Sequence, residues 1–208
     1  MTRLVIATHN TKKAGEMMQI LSAAFPSWEI LTLADYPNAP EPEETGTTYE
    51  ENATIKAESA LAATGEWCLA DDAGLEIDAF GGEPGLYSKR FLGEETTFPE
   101  KMRIILERMR ETPEAQRGAR FRCCVALARP GEPTETLVAT CEGRIATEMS
   151  GNGGFGYDPI FWLPQLDCTM ADLTAVQKHA ISHRGKVLAM LTARLTALTS
   201  TSCTSAPL

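Results

Sequence analysis

An α/β fold, with one mixed sheet flanked by helices, is what three features of this chain predict. A strand–helix–strand alternation opens it: an apolar run at residues 4–7, helical spacing of Ala14, Met17, Met18 and Leu21, and a β-like segment at residues 28–33. Two long β-like runs, 119–128 and 135–145, flank the turn Arg129-Pro130-Gly131-Glu132-Pro133, which signals an antiparallel hairpin. A Thr followed three residues later by Glu or Gln, the pattern of a helix start, recurs at Thr48/Glu51, Thr97/Glu100 and Thr174/Gln177. A parallel opening and an antiparallel continuation put both pairings in one sheet, which the helices must cover. Two lobes with a cleft between them fit that order.

Taken in order, the polar turn Thr8-His9-Asn10-Thr11 separates the first strand from the first helix. Residues 35–46 are a loop rich in Pro and Glu, and the helix opened by Thr48 closes at Gly65. A short buried strand is expected at 67–70, ending at Asp71-Asp72, with another short strand at 75–77. After an irregular glycine-rich stretch at 81–93, Thr97 opens a helix with Met102, Ile105, Leu106 and Met109 on one face. A second glycine-rich loop, 150–158, follows the hairpin. Ser182 opens the last helix, which turns Val187, Leu188, Leu191, Leu195 and Leu198 to the core. The expectation is a single two-lobed domain over 1–198, with the Ser/Thr-rich 199–208 as a frayed tail.

A chain of 208 residues suits one sizeable domain. Its net charge of −9 argues against a protein that coats a nucleic-acid polymer, which relies on broad basic surfaces. A small phosphorylated ligand needs only a few local cations and stays open. No secretory pattern follows Met1 and no apolar run approaches membrane-spanning length, so no membrane partner is expected. The cysteines, Cys68, Cys123, Cys124, Cys141, Cys168 and Cys203, form no C-x-x-C pair. They read as reduced, mostly buried residues of a cytoplasmic protein rather than a zinc or disulfide framework.

Four segments carry chemistry. Adjacent carboxylates Asp71 and Asp72 at a strand exit suit a hard cation shared with phosphates; they also suit a solvated acidic turn. The turn 8–13 presents backbone N–H groups and Lys13 at a helix start, which binds phosphate, although taken by itself Asn10 or Thr11 as a simple N-cap is the favoured reading. Glu43-Glu44-Thr45-Gly46 precedes a helix with Asn52 and Lys56 on one face, so a glutamate there can complete a metal site with Asp72. In 151–159 the glycines allow close backbone approach and Phe155 and Tyr157 can stack on a base. Lys178 with Ser182-His183-Arg184 gathers donors for an anionic or carbonyl-rich ligand; a capped, solvated helix end is the plainer reading.

Together these segments resemble the Ham1/RdgB family of inosine triphosphate pyrophosphatases. The matching stretches are Thr8-His9-Asn10…Lys13, Glu43-Glu44-Thr45-Gly46, Glu51-Asn52-Ala53…Lys56-Ala57, Ala70-Asp71-Asp72-Ala73-Gly74-Leu75, Pro84-Gly85…Tyr87-Ser88, Gly154-Phe155-Gly156-Tyr157-Asp158-Pro159 and Ser182-His183-Arg184-Gly185. They run through nearly the whole chain apart from the tail. The resemblance implies an elongated mixed sheet of the ITPase-like, Maf-like type, a nucleotide cleft between two α/β lobes, and a homodimer. It implies hydrolysis of the 6-oxo purine triphosphates ITP, dITP and XTP to monophosphate and pyrophosphate, with Mg2+ as cofactor. Carried over by position, Thr8, His9, Asn10, Thr11, Lys12 and Lys13 contact the triphosphate, Lys56 contacts phosphate, and Ala73 makes a backbone contact. Phe155, Gly156, Tyr157, Asp158, Lys178, His183 and Arg184 enclose sugar and base; Glu43 and Asp72 hold the metal; Asp72 is the general base, with Asp71 and Lys13 assisting. His9 and Ala73 depart from the family's usual Gly and Ser, which removes one hydroxyl contact and adds bulk to the phosphate turn. The competing readings are a nucleotide sensor without catalysis and a pyrophosphatase of modified pyrimidine nucleotides.

Overall fold

A computed structural model describes residues 2–201. Its sheet has seven strands in the order β2-β1-β3-β4-β5-β6-β7. Strands β1 (Arg3–Ile6), β2 (Glu29–Thr32) and the start of β3 (Trp67–Ile77) are parallel, which the connecting helices α1 (Thr11–Ala24) and α2 (Tyr49–Thr64) require. From β3 on the pairing is antiparallel: β3 with β4 (Gly118–Ala128), and β4 with β5 (Glu135–Ile145) across the expected hairpin. Two short strands absent from the sequence expectation, β6 (Phe161–Leu163) and β7 (Cys168–Thr169), extend that edge. They are too short to show a pattern of alternation.

The main correction concerns β3. The two short strands expected at 67–70 and 75–77 are one strand of 11 residues, and Asp71 and Asp72 lie in its middle. An acidic pair inside an apolar run looks like a turn only while its partners are unknown. The parallel pairing with β1 stops at Leu69, where Ala7 N donates to Leu69 O at 2.7 Å. Beyond that point β3 keeps β4 on one edge, and its other edge stays open as far as Leu75, where Ser88 and the Glu76–Pro84 bridge cover it. The carboxyl end of β1, rather than of β3, therefore opens the crevice in which α/β sheets bind ligands.

Alternation along β3 separates the two acids. Asp71 shares a face with Leu69 and Leu75, and Asp72 shares the other with Ala70 and Gly74. Helix α2 covers the second face through Tyr49, Ala53, Ala57 and Ala60, packed on Val5, Ala7, Cys68, Ala70 and Cys124. On the first face α1 contributes Met17 and Leu21, and α5 (His183–Thr201) contributes Val187, Leu188, Leu191 and Leu195, over Leu4, Ile6, Leu69 and Val125. Further along that face α3 (Phe98–Arg108) packs Met102 and Ile105 on Leu75, Ile77 and Phe121. The gap between the α1/α5 cover and the α3 cover is where a cleft opens.

Helix starts follow the sequence, but at α2 and α3 only the Thr half of the expected box forms. Thr48 Oγ1 accepts from Glu51 N, yet the Glu51 carboxylate takes the N–H and O–H of Thr47 instead of completing the box. At α4 (Ala175–Ile181) the Thr174/Gln177 box is complete, and Gly65 closes α2 with φ +71°. Helix α5 continues through Thr201; the rest of the expected tail, with Cys203, lies outside the described residues. Cys68, Cys123, Cys124, Cys141 and Cys168 are free thiols. Among the described residues no helix is long and apolar enough to cross a membrane.

Candidate active site

A cavity of about 510 Å³ lies at the open edge of β3. It is walled by the turn after β1, by α2, by the loop before α2, by the glycine-rich loop before β6 and by the start of α5. Thr8 to Lys13, Lys56, Asp72, Ala73, Phe155 to Asp158, Lys178, His183 and Arg184 all line it, so segments far apart in sequence meet in one place.

At the turn, Asn10 is the N-cap of α1, and its side-chain oxygen accepts from Lys12 N and Lys13 N, each at 3.1 Å. Two of the helix's first N–H groups are thereby satisfied internally, so the turn offers fewer free donors than the sequence suggests. Its positive end and its lysines still face the cavity.

Asp71 is fully buried behind the cavity wall. Lys13 Nζ lies 3.1 Å from its Oδ2, and Arg184 reaches the same oxygen with Nη2 at 2.9 Å and Nε at 3.3 Å. Burial pushes its pKa up, but Lys13, Arg184 and Lys56 outweigh that and hold it well below the usual carboxylate range. Asp72, on the opposite face, shows the reverse. Burial raises its pKa, and Lys56, with Nζ 3.0 Å from Oδ1, only partly offsets this. Two neighbouring acids are thus driven in opposite directions, the arrangement that separates a fixed anion from a working base.

Lys56 Nζ also lies 3.1 Å from Glu44 Oε1. In the extended segment before α2 exposure alternates, and Glu44 faces the cavity while Glu43 is exposed and does not line it. The carboxylate brought beside Asp72 is therefore Glu44, not Glu43. Asp72 Oδ2 is buried and has no hydrogen-bond partner. That orphan oxygen and the Glu44 carboxylate are hard donors of the kind Mg2+ prefers. No group of three or more His, Cys, Asp or Glu side chains able to hold a metal occurs among the described residues. Two carboxylates completed by a substrate's phosphates fit the usual Mg2+ site; a closed protein cage does not.

At the other end, Asp158 Oδ2 accepts from Phe155 N at 2.8 Å and pairs with Lys178 Nζ at 2.8 Å. Gly154, at φ +66°, is required here because an added Cβ would meet that oxygen at 2.0 Å. The Phe155 ring carries Lys178 Nζ at 4.5 Å and the Arg184 guanidinium at 5.6 Å. His183 stacks on Phe121 with ring centres 4.7 Å apart, and its Nδ1 is buried without a partner. Burial, together with Arg184 and Lys178, drives its pKa well below the ordinary histidine value, so the imidazole is neutral.

A model of the Ham1 family matches residues 4–194. The chain belongs to the Ham1 family. It is 45% identical over 194 residues to a dITP/XTP pyrophosphatase of Exiguobacterium sibiricum, covering 93% of this chain and 97% of that protein. A dITP/XTP pyrophosphatase of Geobacillus kaustophilus is 44% identical over 191 residues, 92% of this chain and 93% of that one. The Staphylococcus aureus Ham1 protein superposes with a TM-score of 0.84 at 37% identity, over 94% of this chain and 99% of that chain.

Within this Ham1 fold, one residue that the sequence reading passed over links the parts. Glu16, on α1, pairs with Lys178 at 2.8 Å and with Arg184 at 2.8 Å. It ties α1 to α4 and α5, and a continuous chain of ion pairs runs Lys13–Asp71–Arg184–Glu16–Lys178–Asp158. Its place three residues after Lys13, next to the buried Met17, is the one signal in the sequence, and helix-face acids are ordinarily solvated.

Proposed function

We propose that this chain hydrolyses 6-oxo purine nucleoside triphosphates, dITP, ITP and XTP, to the monophosphate and pyrophosphate. The observation that carries the reading is the opposite tuning of Asp71 and Asp72 at a cavity that joins a phosphate turn to an aromatic, donor-lined pocket. The dITP/XTP pyrophosphatase relatives support the substrate class.

Water adds to phosphorus at the α–β bridge, one bridging P–O bond breaks, and pyrophosphate leaves. Asp72, ionised but made more basic by burial, orients the water and takes its proton. Lys13 and Lys56 lie where charge grows on the phosphate oxygens and stabilise it. Asp72 and Glu44 would hold Mg2+, which when bound supplies charge neutralisation and polarises the phosphoryl group. Asp71 meets no substrate; it fixes Lys13 and Arg184. Arg184 is a donor only, held by two carboxylates, so it faces an acceptor such as O6 and not the amino group of adenine. Phe155 supplies a stacking face. The resemblance also supports a homodimer, and the buried free thiols suit a cytoplasmic setting.

The test is pyrophosphate release with Mg2+ from dITP, ITP, XTP, ATP and GTP. Each mispaired buried donor costs roughly 1–3 kcal/mol, so ATP should trail ITP by about 10- to 100-fold or more. Asp72→Asn should lower kcat by about 10²- to 10⁴-fold with the fold intact. Equal use of ATP and ITP would sink the substrate assignment, and an active Asp72→Asn enzyme would sink the base.

A further inference from the structure

Glu44 reaches Asp72 on a segment that has almost no structure of its own. Residues 40–46 are irregular, and Pro40 and Pro42 have no N–H to donate. Thr45 N donates to Glu43 O at 3.1 Å, a bond inside the segment. Among the described residues its main chain makes one hydrogen bond to the rest of the fold, from Gly46 N to Asn52 Oδ1 at 2.8 Å. The Glu44 side chain is held by Lys56 at 3.1 Å. The mechanism proposed above gives Lys56 to phosphate and Glu44 to a cation, so that ion pair is not what keeps Glu44 in place during the reaction.

Asn52 is the fourth residue of α2, among the core residues Tyr49 and Ala53, and is only 2% exposed. An amide in that position costs free energy unless it is hydrogen-bonded, and an apolar side chain would pack there without that requirement. Gly46 comes so close that an added Cβ would meet Asn52 Oδ1 and Glu51 Cβ, each at 2.6 Å. Both halves of the contact are therefore specified: a buried acceptor on the helix, and a residue without a side chain on the segment. Beside it Glu51 takes Thr47 N–H and O–H at 2.6 and 2.9 Å, but that pair is exposed, where water competes for the same groups. One turn on from Asn52, Lys56 Nζ lies 3.0 Å from Asp72 Oδ1, so the face of α2 that holds the segment is also the face beside Asp72.

We infer that Asn52 is a positioning residue of the active site: through Gly46 N it fixes the main chain two residues after Glu44, and so holds the Glu44 carboxylate beside Asp72 for a divalent cation. This rests on the reading of Asp72 and Glu44 as metal ligands. Asn52 touches neither substrate nor metal and acts only through the segment. Without its bond the segment has to be ordered as the cation arrives, and the entropy lost in ordering it is subtracted from the affinity. A hydrogen bond that orients a liganding group from behind is commonly worth about tenfold or more in metal affinity.

The test measures Mn2+ binding to the full chain by electron paramagnetic resonance, beside the Mg2+ concentration that gives half-maximal pyrophosphate release from dITP. Asn52→Ala keeps the helix, because Ala is the best helix former. It should weaken Mn2+ binding and raise the Mg2+ requirement by about tenfold each, and leave kcat at saturating Mg2+ and the binding of IMP unaltered. Hydrogen exchange at Gly46 N–H should quicken. Asn52→Asp, which keeps the acceptor, should restore the slow exchange and most of the Mn2+ affinity. Gly46→Ala, which displaces the segment without altering the helix, should reproduce the metal defect. Added to Glu44→Gln, Asn52→Ala should weaken Mn2+ binding no further. A lower melting temperature with unchanged Mn2+ affinity, or an equal further loss in the Glu44→Gln background, overturns the assignment. If Glu44→Gln itself leaves Mn2+ binding unaltered, the metal reading of Glu44 fails; the exchange rate at Gly46 in Asn52→Ala still decides whether Asn52 holds the segment.

Discussion

As the proposed general base, Asp72 has a proton-dependent role that its surroundings make measurable. Its pKa is raised by burial, and Lys56 is the foremost group opposing that rise. The base must be ionised to accept a proton, so kcat/KM should fall on the acid side, at a pH above the ordinary aspartate value. Removing the opposing charge with Lys56→Met should move that acid limb to still higher pH, in addition to a loss of rate from the proposed phosphate contact. A pH–rate profile of both proteins reads this, and an acid limb that stays in place or moves down would show that Lys56 does not tune Asp72. Lys56 was named from its spacing to Asn52 on α2. Its bridge between Asp72 and Glu44 joins side chains 16 and 12 residues away, beyond any helical spacing.

Strand β3 is the element on which the site depends. Its continuity past Asp72 requires Gly74: a Cβ there would lie 2.1 Å from Gly85 O and 2.6 Å from Tyr49 Oη. The neighbour is backbone, which cannot swing aside. Gly74→Ala should therefore cost about 1–3 kcal/mol or more, seen as a fall in melting temperature of roughly 2–4 °C per kcal/mol. It should also raise KM, because the wall from Gly85 to Lys89 must move outward. A variant that melts with the unmodified protein would mean the close approach is not tight in solution. The glycine was visible in the sequence as part of a motif. What it accommodates was not, because Gly85 and Ser88 reach β3 only after the chain has turned back on itself.

For the molecule as a whole, the ion-pair chain through Glu16, Asp71, Arg184 and Lys178 is the buried part of the response to acid. Asp71 and Glu16 are shifted the same way: burial raises each, while the neighbouring cations lower each further. A carboxylate whose folded pKa is depressed stabilises the fold above its unfolded value, near pH 4, and that contribution is lost as pH falls toward the folded value. Asp72 and Asp158 are raised by burial and act in the opposite sense, costing stability at neutral pH and returning it on protonation. The acid limb of a stability–pH curve is therefore set by the depressed carboxylates: Asp71 and Glu16 in the buried chain, with Glu51, Glu135 and Asp172 nearer the surface. Asp71→Asn should flatten that limb, and should cost about 3–5 kcal/mol at neutral pH by leaving Lys13 and Arg184 without their shared anion. Melting temperatures between pH 3 and 8, for both proteins, check the sign; an unaltered slope would place the acid response elsewhere.

The sequence by itself determined the class of fold, the hairpin, the helix starts and the set of segments that meet at the cavity, because these rest on local periodicity, capping and spelling. The β-like runs 119–128 and 135–145 on either side of a Pro-Gly turn mark two strands whichever residues they face. Only the tertiary structure decided how the acids are partnered. Asp71 and Asp72 are equivalent as neighbours in a string, and become different because a strand sends them to opposite faces, one toward Lys13 and Arg184 and the other toward Lys56. Glu44 rather than Glu43 joins Asp72 for the same reason, since an extended segment turns successive side chains apart. Arg184 is 113 residues from Asp71, and no local pattern reports a pair at that distance. Charges that meet across the fold are legible only once the backbone between them has been placed.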